Sequence, residues 1–168
     1  SVRTVIFLSA GAVWGSTESP EIVIDENCPK DIRTRSVYAL SKIKAEDICR
    51  ESVMKGLDVR IVNPSTVYGE GDLRHQAGGR VVEEVCSRGI GLIPPGGTSW
   101  IDIRDLVTGL ILVEKHGRPG ENYILSSGRL LYRKLFSLIA ETCGIKSTGK
   151  VIPKFFKIPL VAAAWILE

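Results

Sequence analysis

An α/β fold with a parallel sheet is the class the sequence predicts, on three observations. Continuous apolar runs rich in β-branched residues at Val5 to Leu8 and Val59 to Val62 read as buried strands. A helical apolar period lies between them, and strand and helix signals keep alternating through the rest of the chain. Strand, helix and strand in that order join two parallel strands by a right-handed crossover. With 168 residues, the chain is long enough to hold a core without a metal or disulfide staple, since chains of this size bury about 70% of their unfolded surface.

The first run gives way at Ser9 to small residues, as a buried strand does at a turn. Thr17 to Arg35 is polar, contains Pro20 and Pro29, and has no period, so it reads as a surface excursion. From Ser36 to Lys55, apolar residues at Val37, Leu40, Ile43, Ile48 and Val53 mark a helix of about five turns at roughly 3.6 residues each. Gly56 suits its left-handed C-terminal cap. The second run is expected to halt at Asn63 and Pro64, because proline lacks the donor that an interior ladder requires. A glycine-rich loop (Gly69 to Gly79) precedes a helix from Arg80 to Ser87. Short segments follow around Leu92 and at Trp100 to Ile103, then a helix from about Asp105 to Lys115, a strand at Asn122 to Leu125 and a helix from about Tyr132 to Cys143. From Pro153 to Glu168 the pattern is helical again, and that helix is expected to pack on the protein rather than lie on a membrane surface.

Lys and Arg number 22 against 19 Asp and Glu, a net charge of +3, and the basic residues are scattered instead of interleaved with aromatics along one element. A solvated face, and no nucleic-acid surface, is the expectation. The longest uncharged apolar run, Ile158 to Leu167, contains a proline and falls well short of the roughly 20 residues that span a bilayer, so no transmembrane segment is expected. The opening residues do not read as a secretory signal, so none is expected, and Cys28, Cys49, Cys86 and Cys143 lie far apart in sequence. Isolated thiols point to a reduced cytoplasm, not to a disulfide framework or zinc site. His75 and His116 are expected to be surface histidines, with no metal bound, and Trp14 and Trp100 to pack in the core.

Tyr38 and Lys42 stand four apart near the start of the long helix, so their side chains share one face. A phenol that exchanges a proton near neutrality needs its usual pKa of about 10 lowered, and a cation within about 4 to 6 Å lowers it. The pair follows a strand ending at Ser9, and the next strand ends in NPSTVYGEGD (Asn63 to Asp72). Ligands of open α/β sheets bind outside the carboxyl ends of the strands, so these stretches are expected to converge on one crevice.

FLSAGAVWG (Phe7 to Gly15), YALSK (Tyr38 to Lys42), RIVNPSTVYGEGD (Arg60 to Asp72), WIDIRDLVTG (Trp100 to Gly109) and RPGENYILS (Arg118 to Ser126) resemble, in order and spacing, the extended short-chain dehydrogenases/reductases. Within that superfamily the chain is similar to the NAD-dependent epimerase/dehydratase group, in its dihydroflavonol-reductase-like and hopanoid-associated sugar epimerase branch. The resemblance implies the C-terminal half of a Rossmann-type doubly wound parallel sheet plus a small substrate-binding lobe. Residues 1–72 are expected to be the second half of the nucleotide-binding sheet. Residues 73–168 are expected to be mostly substrate lobe, with 105–126 returning a helix and strand to the sheet.

The resemblance further implies an NAD- or NADP-dependent oxidoreductase or epimerase acting on a carbonyl or sugar-nucleotide substrate, and a homodimer formed through the Tyr38–Lys42 helix region. Tyr38 is implied as the acid/base and Lys42 as the group that holds the nicotinamide ribose and eases loss of the Tyr38 proton. Asn63, Pro64, Ser65, Thr66 and Val67 are implied to line the nicotinamide. The family's substrate-orienting serine falls on Ala10 or, with one residue of slippage, on Ser9. Asp105 is implied to cap the helix that follows it. The family's glycine-rich pyrophosphate loop has no counterpart: Gly69 and Gly71 lack a third glycine at Arg74, and Gly89 and Gly91 lack one at Pro94. The implied alternatives are a non-catalytic nucleotide- or partner-binding relative and a fragment inactive by itself.

Overall fold

The computed structural model describes residues 2–17, 21–34, 36–73, 78–146 and 149–153. His75 and most of the helix expected from Pro153 to Glu168 lie outside the described residues. In chain order the elements are β1 (Thr4–Leu8), a 3-10 turn (Gly11–Trp14), α1 (Val37–Met54), β2 (Asp58–Pro64), β3 (Thr66–Tyr68), α2 (Gly78–Arg88), β4 (Leu92–Ile93), β5 (Gly97–Asp102), α3 (Ile103–His116), β6 (Asn122–Leu125), β7 (Gly128–Leu131), α4 (Tyr132–Thr142) and β8 (Lys150–Val151). The 3-10 turn, β3, β7 and β8 were not expected from the sequence; two to four residues are too few to display a period. The chain forms two units, residues 1–68 with 101–127 and residues 69–100 with 128–168. The first regains the chain at Ile101, ahead of the expected 105, because that side chain is buried in the sheet's core.

In the first unit β1, β2 and β6 form a parallel sheet in that order, with Leu8 opposite Val62 and Pro64 opposite Leu125. β2 alternates between two helices. Val62 packs with Leu106 and Val113 of α3, while the Asn63 side chain turns to α1. Arg60, on the α3 side, donates to the Val113 and Glu114 carbonyls and so closes the C-terminus of α3. The opposite face is covered by Val13, Trp14 and Ile43, against which Ile24, Cys28 and Ile124 pack. Trp14 is buried as expected, and its indole donates to the Cys28 carbonyl.

Three expectations need correction. β2 does not stop before Asn63 but runs through Pro64. Ile61 and Ser65 donate to the β6 side, whereas Val62 pairs with β1, which departs at Ser9. The missing donor of Pro64 therefore faces the side where the ladder has already ended. The cap of α3 is Asp102, whose carboxylate accepts from the Arg104 N–H at 2.8 Å. Because the helix starts two residues early, Asp105 sits in its first turn and accepts from the Ser127 hydroxyl. Gly56 does take the left-handed conformation after α1, with φ +90°.

The third correction lies in the second unit, where Gly97 to Trp100 of β5 pairs antiparallel with β7 and β4 pairs parallel with β8. Leu135, Ile139 and Ala140 of α4 and Val85 of α2 are buried. Cys86 on α2 and Cys143 at the end of α4 form a disulfide, with Cα atoms 5.6 Å apart. Sequence separation hid this, since helix packing brings together thiols 57 residues apart. Cys28 and Cys49 remain free, and the thiols no longer argue for a reduced compartment. Among the described residues no helix is long and apolar enough to cross a membrane.

Candidate functional site

Because β1, β2 and β6 are parallel, their carboxyl ends reach one edge, and α1 begins there. Ser36 starts that helix by accepting from the Ala39 N–H at 3.2 Å. The four-residue spacing then lines up Tyr38, Lys42, Glu46 and Arg50 along it. Tyr38 is 56% exposed. The Lys42 ammonium donates to the Leu8 carbonyl at 2.8 Å and lies 5.2 Å from the Phe7 ring centroid and 5.8 Å from that of Tyr38. A cation is thus held between the end of β1 and an accessible phenol ring.

One turn deeper, Glu46 has no exposed surface. Its Oε1 accepts from the Ser9 hydroxyl at 2.5 Å and the Asn63 amide at 2.7 Å. Its Oε2 accepts from the Asn122 amide at 3.0 Å and Arg50 at 3.3 Å, and pairs with the Lys30 ammonium. All five partners are donors, so the ionised carboxylate is the form that satisfies them. Lys30 also lies 5.5 Å from the Trp14 ring centroid. Its burial, and then the neighbouring Arg50 charge, bring it down to about 8 against the opposing pull of Asp47.

This network decides where the expected residues stand. Ser9, expected to offer a hydroxyl to substrate, is buried and donates it to Glu46; Ala10, its alternative, has no hydroxyl to offer. Asn63 is fully buried, its amide group shared among Glu46, the Ala10 carbonyl and Asn122, which leaves main-chain atoms as its means of touching a ligand. The Val67 side chain packs against the Val62 cluster. Pro64 and Ser65 lie beside the Ala10–Gly11 turn, so close that a Cβ on Gly11 would stand 3.4 Å from the Pro64 carbonyl oxygen. The buried Ser65 hydroxyl has no hydrogen-bond partner among the described residues, and Thr66 is half-buried next to it. An orphaned hydroxyl is costly unless something else satisfies it, and the Ser65 hydroxyl could be satisfied by a hydroxyl of a polyhydroxylated ligand such as a nicotinamide ribose. Among the described residues no three His, Cys, Asp or Glu gather as a metal would need.

Glu46 and three of its partners, Lys30, Arg50 and Asn122, escaped the sequence reading as site residues. The available signal was the unbroken stripe Tyr38, Lys42, Glu46, Arg50 beside the apolar Ala39 and Ile43.

Comparison with known proteins agrees with this architecture. A family model described as the NAD dependent epimerase/dehydratase family matches residues 1–126. A putative dihydroflavonol 4-reductase of Synechocystis sp. is 27% identical over 135 residues, covering 78% of this chain and 38% of that protein. The crystal structure of a nucleoside-diphosphate-sugar epimerase from Pseudomonas aeruginosa superposes with a TM-score of 0.83 at 24% identity, covering 98% of this chain and 54% of the other. A double mutant of the dTDP-glucose 4,6-dehydratase DesIV from Streptomyces venezuelae, solved with NAD bound, gives a TM-score of 0.76 at 26% identity, covering 90% and 48%. The chain therefore spans roughly a third to a half of the length of these relatives.

Proposed function

The chain belongs to the NAD-dependent epimerase/dehydratase family, and from that premise we propose that it carries the proton-transfer part of an NAD(P)-dependent oxidoreductase or epimerase. Its substrate is a carbonyl or secondary alcohol, with sugar nucleotides the leading class because both structural relatives named above act on them. The observation that carries the proposal is the Lys42 ammonium fixed between the Leu8 carbonyl and the Tyr38 ring.

In this mechanism the Tyr38 phenol gives its proton to the carbonyl oxygen on reduction and takes it back on oxidation. Lys42 stabilises the negative charge that develops on the phenolic oxygen and, with Ser65, Thr66 and the main chain of Asn63 and Pro64, holds the nicotinamide ribose. A bound dinucleotide supplies the hydride. Ser9 acts from beneath, through Glu46, without touching substrate. Two copies pair through the α1 region, where Val37, Ile48 and Met54 are exposed.

The test, run in a full-length version of the protein, is transfer of deuterium from C4-deuterated NADH or NADPH to a panel of keto-sugar nucleotides and aryl ketones. Label at the new carbinol carbon is expected. Tight nicotinamide binding with no transfer to any acceptor would instead favour a non-catalytic relative, the second reading, which the commitment of Ser9 to Glu46 and the alanine at position 10 support.

A further inference from the structure

The Glu46 carboxylate takes no proton in the mechanism above, yet it ties the strand ends to the helix that bears Tyr38 and Lys42. Ser9, which donates to its Oε1, directly follows Leu8, whose carbonyl receives Lys42. Asn63, which donates to the same oxygen, also donates to the Ala10 carbonyl at 3.2 Å and directly precedes Pro64 and Ser65. The other oxygen reaches Asn122 at the start of β6. One carboxylate on α1 thus spans to β1, β2 and β6, and Ser9 links it to the Leu8 carbonyl that receives the Lys42 ammonium. An amide in its place would present an N–H to donors and break part of the set.

We propose that Glu46 is a positioning residue for the Tyr38–Lys42 site: it keeps the Leu8 carbonyl under the Lys42 ammonium and the Pro64–Ser65 segment against the Ala10–Gly11 turn. The proposal rests on the functional reading above only for its effect on turnover, because the geometry can be tested without it.

Lys42 acetylation by limiting acetic anhydride, read by peptide mass spectrometry as a ratio to Lys44, reports whether the ammonium leaves its carbonyl; Lys44 is exposed on the same helix. Glu46→Gln is expected to raise the ratio about fivefold and Ser9→Ala about twofold, since each loosens Oε1. Arg50→Met, which removes an ion-pair partner from Oε2, is expected to lower the Tm and leave the ratio unchanged. An unchanged ratio in both Glu46→Gln and Ser9→Ala, or a rise in all three variants in step with their loss of Tm, would overturn the proposal. If Glu46→Gln does not fold, Ser9→Ala against Arg50→Met decides alone. In the NAD(P)-linked assay of a full-length version Glu46→Gln is expected to lower kcat about tenfold with little change in KM for the carbonyl substrate; a change confined to that KM would count against positioning. A wild type without hydride transfer would sink the functional reading, and the labelling ratios would still decide the role of Glu46.

Discussion

The two faces of β2 are built from opposite chemistry. Toward α3, Val62 meets Ile101, Leu106 and Val113, all apolar and all buried. Toward α1, Asn63 meets a carboxylate with no exposed surface, an arrangement of buried polar groups that is worth its desolvation only when every donor and acceptor is satisfied. An apolar interface tolerates small shifts with little loss, whereas a hydrogen-bonded one holds atoms to a few tenths of an ångström. The face that must place Tyr38 and Lys42 is the one with the hydrogen bonds. The other supplies cohesion.

That contrast can be broken or sharpened by variants chosen from each side. The largest loss of stability is expected from the apolar face: Leu106→Ala should cost about 2 to 5 kcal/mol in denaturant unfolding, with turnover per folded molecule unchanged. A fall in turnover greater than the fall in folded fraction would mean that α3 also positions the site. Cys86→Ser belongs to neither face and should cost about 2 to 4 kcal/mol by releasing a long loop. Thiol titration without reductant should find Cys28 and Cys49 in the wild type and Cys143 as well in the variant. Asn63→Ala should cost about 1 to 3 kcal/mol, the price of leaving Glu46 one donor short. Unlike Leu106→Ala, it should also reduce turnover per folded molecule, and equal behaviour of the two would erase the distinction between the faces.

The smallest effect is a pH dependence at the start of α3. The Arg104 guanidinium, and then the Arg104 N–H, hold the half-buried Asp102 carboxyl down to about 2 from its ordinary 3.8. A lowered folded-state value means that its contribution is present above pH 3.8 and fades as pH falls toward 2. Carboxyl NMR should therefore show Asp102 titrating below the other aspartates, and a midpoint near 4 would contradict the cap.

Much of this architecture is legible in the sequence. Unbroken β-branched runs reveal β1 and β2, and the spacing of Tyr38 and Lys42 shows on which turn of a helix they stand. Glu46 could not be read in that way, because a charged residue mid-helix is usually solvated. Only the arrival of Ser9, Lys30, Asn63 and Asn122 from separate segments makes it a buried hub. The disulfide between Cys86 and Cys143 and the orphaned hydroxyl of Ser65 have the same origin, in tertiary contacts that leave no local pattern. The misplaced cap differs. Asp102 and Asp105 both suit a helix start, and which one serves depends on where β5 ends.

The central claim is that Tyr38 handles the proton at an edge organised by Lys42. Its most direct test is NAD(P)-linked turnover of Tyr38→Phe against wild type in a full-length version of the protein, with nicotinamide affinity and Tm measured on the same samples. The expected result is a loss in kcat of about 100-fold or more, the scale of a missing general acid, with affinity and Tm little changed. Turnover that survives the loss of the phenol would contradict the account.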